Sequence, residues 1–250
     1  MPEWTDEGLI LSIRPHGERN AVASLLTLEN GRHSGLVHAY DAASKRGTVQ
    51  IGNLVQVQWR ARLSEQLGTY QLELVRNPSA VFLDDALKLA GLSSCCAILD
   101  VSLPEREANV SVWQATTALI DIICIADNLE DWLVFFVKWE MNLLDLLGFG
   151  LNLRSCAVSG LKDDLIYVSP RSGRAVHRDH AGDYTDRLLN LPSFLQSEQA
   201  AASVSDSALL DGLTLTGHFV ARRVFSLIHK DLPYARLRLA HLVAKRYNIT

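Results

Sequence analysis

Two adjacent cations, Lys45 and Arg46, lie in a short polar loop, DAASKRG, between two apolar-alternating stretches. Four more arginines are expected at turns and strand ends of the same region: Arg14, Arg32, Arg60 and Arg62. Arginine presents a planar fork of donors and lysine a mobile point charge, and both bind phosphate oxygens without reading base sequence. The pattern therefore predicts electrostatic binding of a nucleic acid. For Arg60 and Arg62, an ordinary solvated surface is an equal alternative.

Aromatic side chains near these cations could hold unpaired bases, because every base offers a face for stacking. Tyr40 stands beside the basic loop, and Trp59 and Tyr70 lie in the following stretches. We therefore predict Tyr40, Trp59 and Tyr70 as stacking candidates. For Trp59, a place in the barrel core is an equal alternative.

The net charge of −4 conceals a strong asymmetry along the chain. Residues 1–80 hold eight Lys and Arg against eight Asp and Glu, residues 81–150 hold three against eleven, and residues 151–250 hold thirteen against nine. In the first segment several acids collect at its start, which leaves a locally basic surface beyond them. A local surface of this kind matters more for binding DNA than the total charge does.

The periodicity of the apolar residues changes at Pro78. Before it, apolar residues alternate with period two, and this predicts five short strands closed into an OB-type barrel. The expected strands lie near 8–13, 21–28, 33–39, 51–62 and 68–75, with a two-residue hairpin turn at Asn30-Gly31. After it the period is 3.6, which predicts helices near 84–101, 110–127, 129–147, 204–229 and 235–246. The fold class is α+β, with domains at 1–80 and 81–250.

Motifs of the common enzyme classes are absent from the sequence. There is no G-x-S-x-G, no Walker loop, no G-x-G-x-x-G and no H-E-x-x-H. We therefore predict a non-catalytic protein without a cofactor. Four cysteines without a disulfide framework favour a reducing compartment, and no apolar run is long enough for a membrane span, so we expect a cytoplasmic protein.

Several segments together resemble the RecO family of recombination mediator proteins over essentially the whole chain. They are GLILSIRPHGERNAVASLLTLENGR, the loop at residues 44–46, KWEMNLLDLLGFGLNLRSCAVSG, YVSPRSGRAV and FVARRVFSLIHKDLPYARLR. The most specific is the charged helix ending in Leu-Gly-Phe-Gly before a cysteine, from Glu140 to Cys156. The loop before Lys45, His38-Ala-Tyr-Asp41, departs from the more basic family pattern, which suggests a lower affinity for DNA.

The resemblance implies an N-terminal OB barrel and a mainly helical C-terminal domain with a zinc-ribbon-like insertion at about 150–195. It also implies binding of single- and double-stranded DNA, annealing of complementary strands, and help in loading RecA onto strands covered by single-strand-binding protein. The implied partners are RecR, single-strand-binding protein and, through them, RecA. Such a protein would work in the cytoplasm, associated with the nucleoid.

A zinc site in that insertion is degenerate in this chain. Some family members carry C-x-x-C twice, whereas here the pairs become Cys156-Ala-Val-Ser159 and His177-Arg-Asp-His180. A structural zinc ion is coordinated by four Cys, His or carboxylate ligands, and a serine hydroxyl is a poor replacement for a thiolate. We therefore expect no metal, with Cys156, His177 and His180 as weak candidate ligands.

A second group of cations lies in the last two predicted helices: Arg222, Arg223, Lys230, Arg236 and Arg238. If the resemblance holds, this group would suit the acidic, apolar-ended tail of single-strand-binding protein. A solvated helix face is the rival interpretation. Two alternatives for the whole chain also stay open: an interaction adaptor of the same fold with little DNA affinity, and a zinc-dependent enzyme at Cys156, His177 and His180.

Overall fold

The computed structural model describes residues 1–196 and 204–247. Its contacts divide the chain into two compact units. The first comprises residues 1–124 and 233–236, and the second comprises the described residues of 125–232 and 237–250. The predicted α+β class is confirmed, because a five-stranded barrel is followed by a mainly helical region.

The first unit is built around a closed barrel with the strand order β1-β2-β3-β5-β4, as predicted for an OB-type fold. Its strands are β1 (Glu3–His16), β2 (Asn20–Thr27), β3 (Gly31–Val37), β4 (Leu54–Arg60) and β5 (Thr69–Arg76). All pairings are antiparallel except that of β3 with β5, which meet at Leu36 and Thr69. β1 is longer than predicted, and an irregularity between Ile10 and Ser12 lets it bend while it pairs with both β2 and β4.

Alternating side chains of these strands fill the barrel interior, as period-two patterning requires. The buried cluster consists of Ile10, Ala23, Leu25, Val37, Val49, Val55, Val57, Trp59, Ala61 and Tyr70. One buried carboxylate, that of Asp6, accepts hydrogen bonds from the amides of Glu29 and Asn30 at 2.9 and 3.2 Å. Asp6 thereby fixes the connection between β2 and β3 at the end of the barrel where β1 begins.

That connection differs from the predicted two-residue hairpin. Thr27 pairs with Gly31, so residues 28–30 form a three-residue loop, and Gly31 alone has a positive φ, of 66°. Three-residue loops are common hairpin connections, and here the left-handed glycine follows the loop as the first residue of β3. A Cβ at Gly31 would also collide with the backbone of Glu107, so this site requires glycine for two reasons.

Three helices follow the barrel in the chain: α1 (Pro78–Val81), α2 (Ala86–Ser102) and α3 (Val110–Ile125). Asn77 caps α1, its side chain accepting from the amide of Ala80 at 2.9 Å. Asp85 caps α2 in the same way through the amides of Leu87 and Lys88. α2 packs against β1 and β2.

The second unit begins with α4 (Leu129–Leu146), whose predicted aromatic stripe is confirmed as core. Trp132, Phe136 and Trp139 are all buried. The helix ends at Gly148 with a φ of 82°, the left-handed stop that the sequence predicts. α4 packs against α5 (Asp206–Phe219).

A small sheet with the order β7-β6-β8 follows α4 in the chain. Its strands are β6 (Leu165–Val168), β7 (Ala175–His177) and β8 (Leu189–Asn190), and short 3-10 turns lie at Arg178–His180, Gly182–Arg187 and Ser193–Leu195. The zinc-ribbon character of this region stays a prediction.

The long helix predicted at 204–229 is instead three consecutive pieces. α5 gives way to a π-helical turn at Val220–Phe225 and then to a 3-10 turn at Ser226–Ile228, which ends at His229 with a φ of 54°. α6 (Tyr234–Arg246) is the last helix in the described part of the chain. The domain boundary predicted near residue 80 is not decided by the compact units, because these reflect contacts rather than independent folding.

Candidate nucleic-acid interface

The predicted cation pair lies on a structured loop at the end of the barrel where β3 ends and β4 begins. Turns within residues 39–53 fix its backbone, for example through the amides of Lys45 and Arg46, which donate to the carbonyl of Ala42 at 2.8 and 3.1 Å. The Lys45 ammonium donates to the His38 carbonyl at 2.7 Å, and the Arg46 guanidinium donates to the Asp41 carbonyl at 2.9 Å. Arg46 is exposed and Lys45 is partly exposed, so both charges lie at the surface.

The turn between β1 and β2 joins this loop. Tyr40 donates its amide to the carbonyl of Arg19 at 3.1 Å, and Ala39 donates its amide to the side chain of Asn20 at 3.3 Å. Arg14 lies at the end of β1, opposite Val22 of β2. Four cations consequently share this end of the barrel, and we call them the basic loop surface: Arg14, Arg19, Lys45 and Arg46.

None of these four cations forms an ion pair with another described residue. Arg14, Arg19 and Arg46 are exposed, and Lys45 is partly exposed. Arg19 was not among the residues predicted from the sequence to bind DNA. Its position in the turn after β1 was the available signal, but the contact between this turn and the loop of residues 39–53 is visible only in the fold.

Arg60 and Arg62 line a different feature, an open groove of about 590 Å³ beside the loop between β4 and β5. Arg62 is exposed, while the guanidinium of Arg60 pairs with Glu3 at 3.0 Å. The groove also reaches Leu36, two residues before His38, where the loop that carries Lys45 starts.

Arg32 is engaged within the molecule. Its guanidinium donates to the carbonyl of Leu103 at 2.8 Å and pairs with Glu105 at 3.2 Å, and its side chain is only 15% exposed. These contacts attach the turn between α2 and α3 to β3. Arg32 is therefore not brought together with Lys45 and Arg46.

The aromatic candidates occupy different environments. Trp59 and Tyr70 are only 2% and 3% exposed and belong to the barrel core, so their faces are not offered to a base. The Trp59 indole donates to the carbonyl of Leu67 at 2.9 Å. Tyr40 is partly exposed beside the basic loop. Sequence reasoning overlooked Trp4, which is partly exposed and stacks on Trp59 across β1 and β4.

The second predicted group of cations is also divided. Arg222, Lys230 and Arg238 are exposed. Arg223 donates to the carbonyls of Phe149 and Ser172 at 2.9 and 2.6 Å and lies 4.8 Å from the ring centroid of Phe219.

Arg236 is only 1% exposed. Arg223 and Arg236 are consequently poor candidates for capturing a peptide tail in this conformation. For Arg222, Lys230 and Arg238, binding of an acidic peptide tail stays a prediction.

The candidate metal ligands do not form a complete set. No group of three or more Cys, His, Asp or Glu side chains among the described residues is arranged to hold a metal ion. His177 and His180 lie with ring centroids 5.5 Å apart, but the His177 Nδ1 accepts the amide of Asp179 at 3.1 Å. The residues as arranged do not fit a structural zinc site.

The sulfur of Cys156 is instead surrounded by hydrogen-bond donors. It accepts the amides of Val158 and His177 at 3.4 and 3.3 Å. Burial alone would raise the pKa of this thiol, but these hydrogen bonds and those from Ser159 outweigh burial and lower the pKa to about 6.

No helix among the described residues is long and apolar enough to cross a membrane.

Comparison with known families gives two matches that together span most of the chain. The model named Recombination protein O N terminal matches residues 1–78, and the model named Recombination protein O C terminal matches residues 83–233. The gap between them lies at α1, directly after the barrel.

Curated relatives agree with this result. The chain is 46% identical to the DNA repair protein RecO of Rhodospirillum centenum, over 98% of this chain and 96% of the relative. It is 44% identical to that of Rhodospirillum rubrum, over 95% of each chain, and 41% identical to that of Cereibacter sphaeroides, over 98% of this chain and all of the relative. The chain therefore belongs to the RecO family of recombination and DNA repair proteins.

Proposed function

We propose that this protein is a non-catalytic DNA-binding mediator of repair and recombination. It binds single- and double-stranded DNA, anneals complementary strands and helps to load RecA onto strands covered by single-strand-binding protein. The observation that carries the proposal is the basic loop surface, four cations at one end of the barrel without a carboxylate partner among the described residues.

The hydrogen bonds of this surface favour phosphate as its ligand. Lys45 donates to the carbonyl of His38 and Arg46 to that of Asp41, and Arg46 is exposed while Lys45 is partly exposed. A charged phosphate oxygen is a stronger acceptor than a neutral carbonyl, so a strand would engage these donors without unfolding the loop. Contacts of this kind do not distinguish one base sequence from another.

Annealing follows from charge neutralisation alone. Two complementary strands repel each other through their phosphates, and a cationic surface lowers that repulsion when both strands lie on it. No bond is made or broken, so the reaction needs neither a nucleophile nor a nucleotide. Its rate should fall steeply as the salt concentration rises, because salt screens the protein as well as the strands.

Partner proteins would meet the second unit under this proposal. Arg222, Lys230 and Arg238 are exposed cations, and the nearby Leu227 and Leu237 are 63% and 52% exposed. Exposed cations beside apolar side chains suit an acidic tail with an apolar end, such as that of single-strand-binding protein. RecR and, indirectly, RecA are the other proposed partners, and the cytoplasmic nucleoid is the proposed location.

A strand-annealing assay at low and moderate salt tests the proposal. The Lys45→Glu, Arg46→Glu double variant should anneal at least tenfold more slowly than wild type, since two attractive contacts become repulsive. The matched control is Lys162→Glu, Arg187→Glu, which makes the same charge change at exposed positions of the second unit. It should anneal at the wild-type rate.

Two results would contradict the proposal. Equal annealing by the Lys45→Glu, Arg46→Glu variant and wild type would remove the basic loop surface from the mechanism. No retention of single-stranded DNA by wild type, even at low salt, would favour an interaction adaptor of the same fold.

A further inference from the structure

A cavity of about 330 Å³ opens at the end of the barrel where β1 begins, and we call it the mouth cavity. Trp4 lines it and is backed by the buried Trp59, on which it stacks with ring centroids 5.6 Å apart and planes inclined by 20°. His33 meets both indoles edge-on, at 5.0 and 5.1 Å. A concave site with an aromatic wall and this volume is suited to a small planar ring.

The wall of the mouth cavity is uncharged at neutral pH. Burial, followed by the charge of Arg106, lowers the pKa of His33 to about 4. The His33 Nδ1 lies 2.9 Å from the hydroxyl of Tyr70, which holds the imidazole in place. A neutral aromatic wall favours stacking with a neutral ring over binding of a phosphate.

The rim of the mouth cavity is polar and carries both donors and acceptors. Arg106 donates to the carbonyls of Ser64 and Gln66 at 2.7 and 3.1 Å, which positions its guanidinium at the rim. Ser64 and Glu29 also line the opening. Nucleobase edges present the same mixture of donors and acceptors, so the edge of a base at this opening meets polar groups of both kinds.

The mouth cavity adjoins the groove of Arg60 and Arg62 through a shared loop. Arg62 and Gln66 line the groove, while Ser64, between them in sequence, lines the cavity. Trp59 and Arg60 are likewise neighbours in β4, with one residue lining each feature. A strand with its phosphates in the groove therefore has a base-sized site within reach.

We propose that the mouth cavity binds one unpaired nucleobase of a single strand, by stacking against Trp4, while the backbone of that strand lies beside Arg60 and Arg62. The inference rests on the proposed DNA-binding function and extends it from phosphate contacts to the base itself. It gives the protein a preference for unpaired over paired bases, because a base within a duplex is not available to enter the cavity.

The test compares a short oligothymidylate with an abasic deoxyribose-phosphate strand of the same length. Both strands carry the same phosphates, so only base contacts can separate their affinities. Wild type should bind the oligothymidylate roughly tenfold more tightly, as expected for one stacked base. Trp4→Ala should remove this preference and Trp4→Phe should restore part of it, while the affinity for the abasic strand stays unchanged.

A second variant avoids the barrel core, because Trp4→Ala could fail to fold. Ser64→Leu places a larger side chain at the mouth from an exposed loop position and should also abolish the preference. The matched control is Ser207→Leu, at an exposed position of the second unit, which should keep it. Urea unfolding of each variant identifies any that does not fold.

The outcomes separate the two proposals. Equal binding of both strands by wild type, or an unchanged preference in folded Ser64→Leu, overturns the mouth cavity as a base site and leaves phosphate binding intact. Retention of neither strand at low salt overturns the DNA-binding function, and the base site with it.

Discussion

Cations in the two compact units meet backbone carbonyls in different ways. In the barrel unit, Lys45 and Arg46 each donate to one carbonyl within their own loop. In the second unit, Arg223 donates to Phe149, Gly150 and Ser172, which belong to two separate segments. A single local bond leaves most of a cation's donors for a ligand, whereas bonds to distant segments commit the cation to the fold. Residue type alone does not distinguish these two uses.

The largest expected effect comes from removing the committed cation. Arg223→Ala leaves three carbonyls without their donor and removes the contact with Phe219. We expect a loss of about 2–3 kcal/mol in the free energy of unfolding, since bonds from a charged donor are the stronger ones and part of the loss is recovered by water. Urea unfolding monitored by circular dichroism measures it.

Arg222→Ala is the matched control for this prediction. Arg222 is exposed and adjacent in sequence, so its removal should change the free energy of unfolding by less than about 0.5 kcal/mol. Similar losses in both variants would show that the carbonyl contacts of Arg223 contribute little.

The second prediction concerns Lys45 and Arg46, whose side chains bond only within their own loop. In Lys45→Ala, Arg46→Ala, the slope of log affinity for single-stranded DNA against log salt should become shallower by about 1.4, or about 0.7 for each lost phosphate contact. Stability should stay at the wild-type value, because neither side chain holds a distant segment. Fluorescence anisotropy over a salt series gives the slope, and an unchanged slope would contradict phosphate binding at this loop.

Much of the fold follows from periodicity in the sequence. Alternating residues predict the barrel, and the stripe of Trp132, Phe136 and Trp139 predicts α4, since both patterns extend over several turns or strands. The β2–β3 hairpin was predicted with two loop residues instead of three, and the π-helical turn at Val220–Phe225 was predicted as ordinary α-helix. Both lie beside distant residues, since Gly31 closely approaches the backbone of Glu107 and Arg223 donates to Ser172, and periodicity carries no information about such contacts.

The candidate site follows less directly from the sequence. The polar loop and its cations were recognisable from composition, whereas the engagement of Arg32 depends on residues about seventy positions away. Trp4 lacked any local signal, because its role comes from lying opposite Trp59 at the open end of the barrel. Sequence reasoning therefore finds charge, and the fold decides which charges and rings are accessible.

The third prediction concerns Arg32, which lies in the barrel unit but, unlike Lys45 and Arg46, bonds to a distant segment of the chain. Arg32→Ala should lower the free energy of unfolding by about 1–2 kcal/mol, because the Leu103 carbonyl and the Glu105 carboxylate lose their partner. Its salt slope for DNA binding should equal that of wild type. A shallower slope at unchanged stability would instead make Arg32 a phosphate ligand.

The smallest expected effect comes from comparing a buried histidine, His33, with an exposed one, His38. His33 is buried with a pKa lowered to about 4, first by burial and then by the charge of Arg106, whereas an unfolded histidine titrates near 6.5. Between these values the unfolded chain binds more protons, so this contribution to stability is complete above about pH 6.5 and is lost as the pH falls towards 4.

His33→Gln lacks this titrating group, and its urea midpoint should therefore fall less than that of wild type between pH 7 and pH 5. His38→Gln, at an exposed position of the basic loop, is the matched control and should keep the wild-type pH dependence. If His33→Gln and wild type lost the same stability over this range, His33 would not be the proton-linked group. A lowered pKa of His33 would then no longer account for an uncharged imidazole in the wall of the mouth cavity.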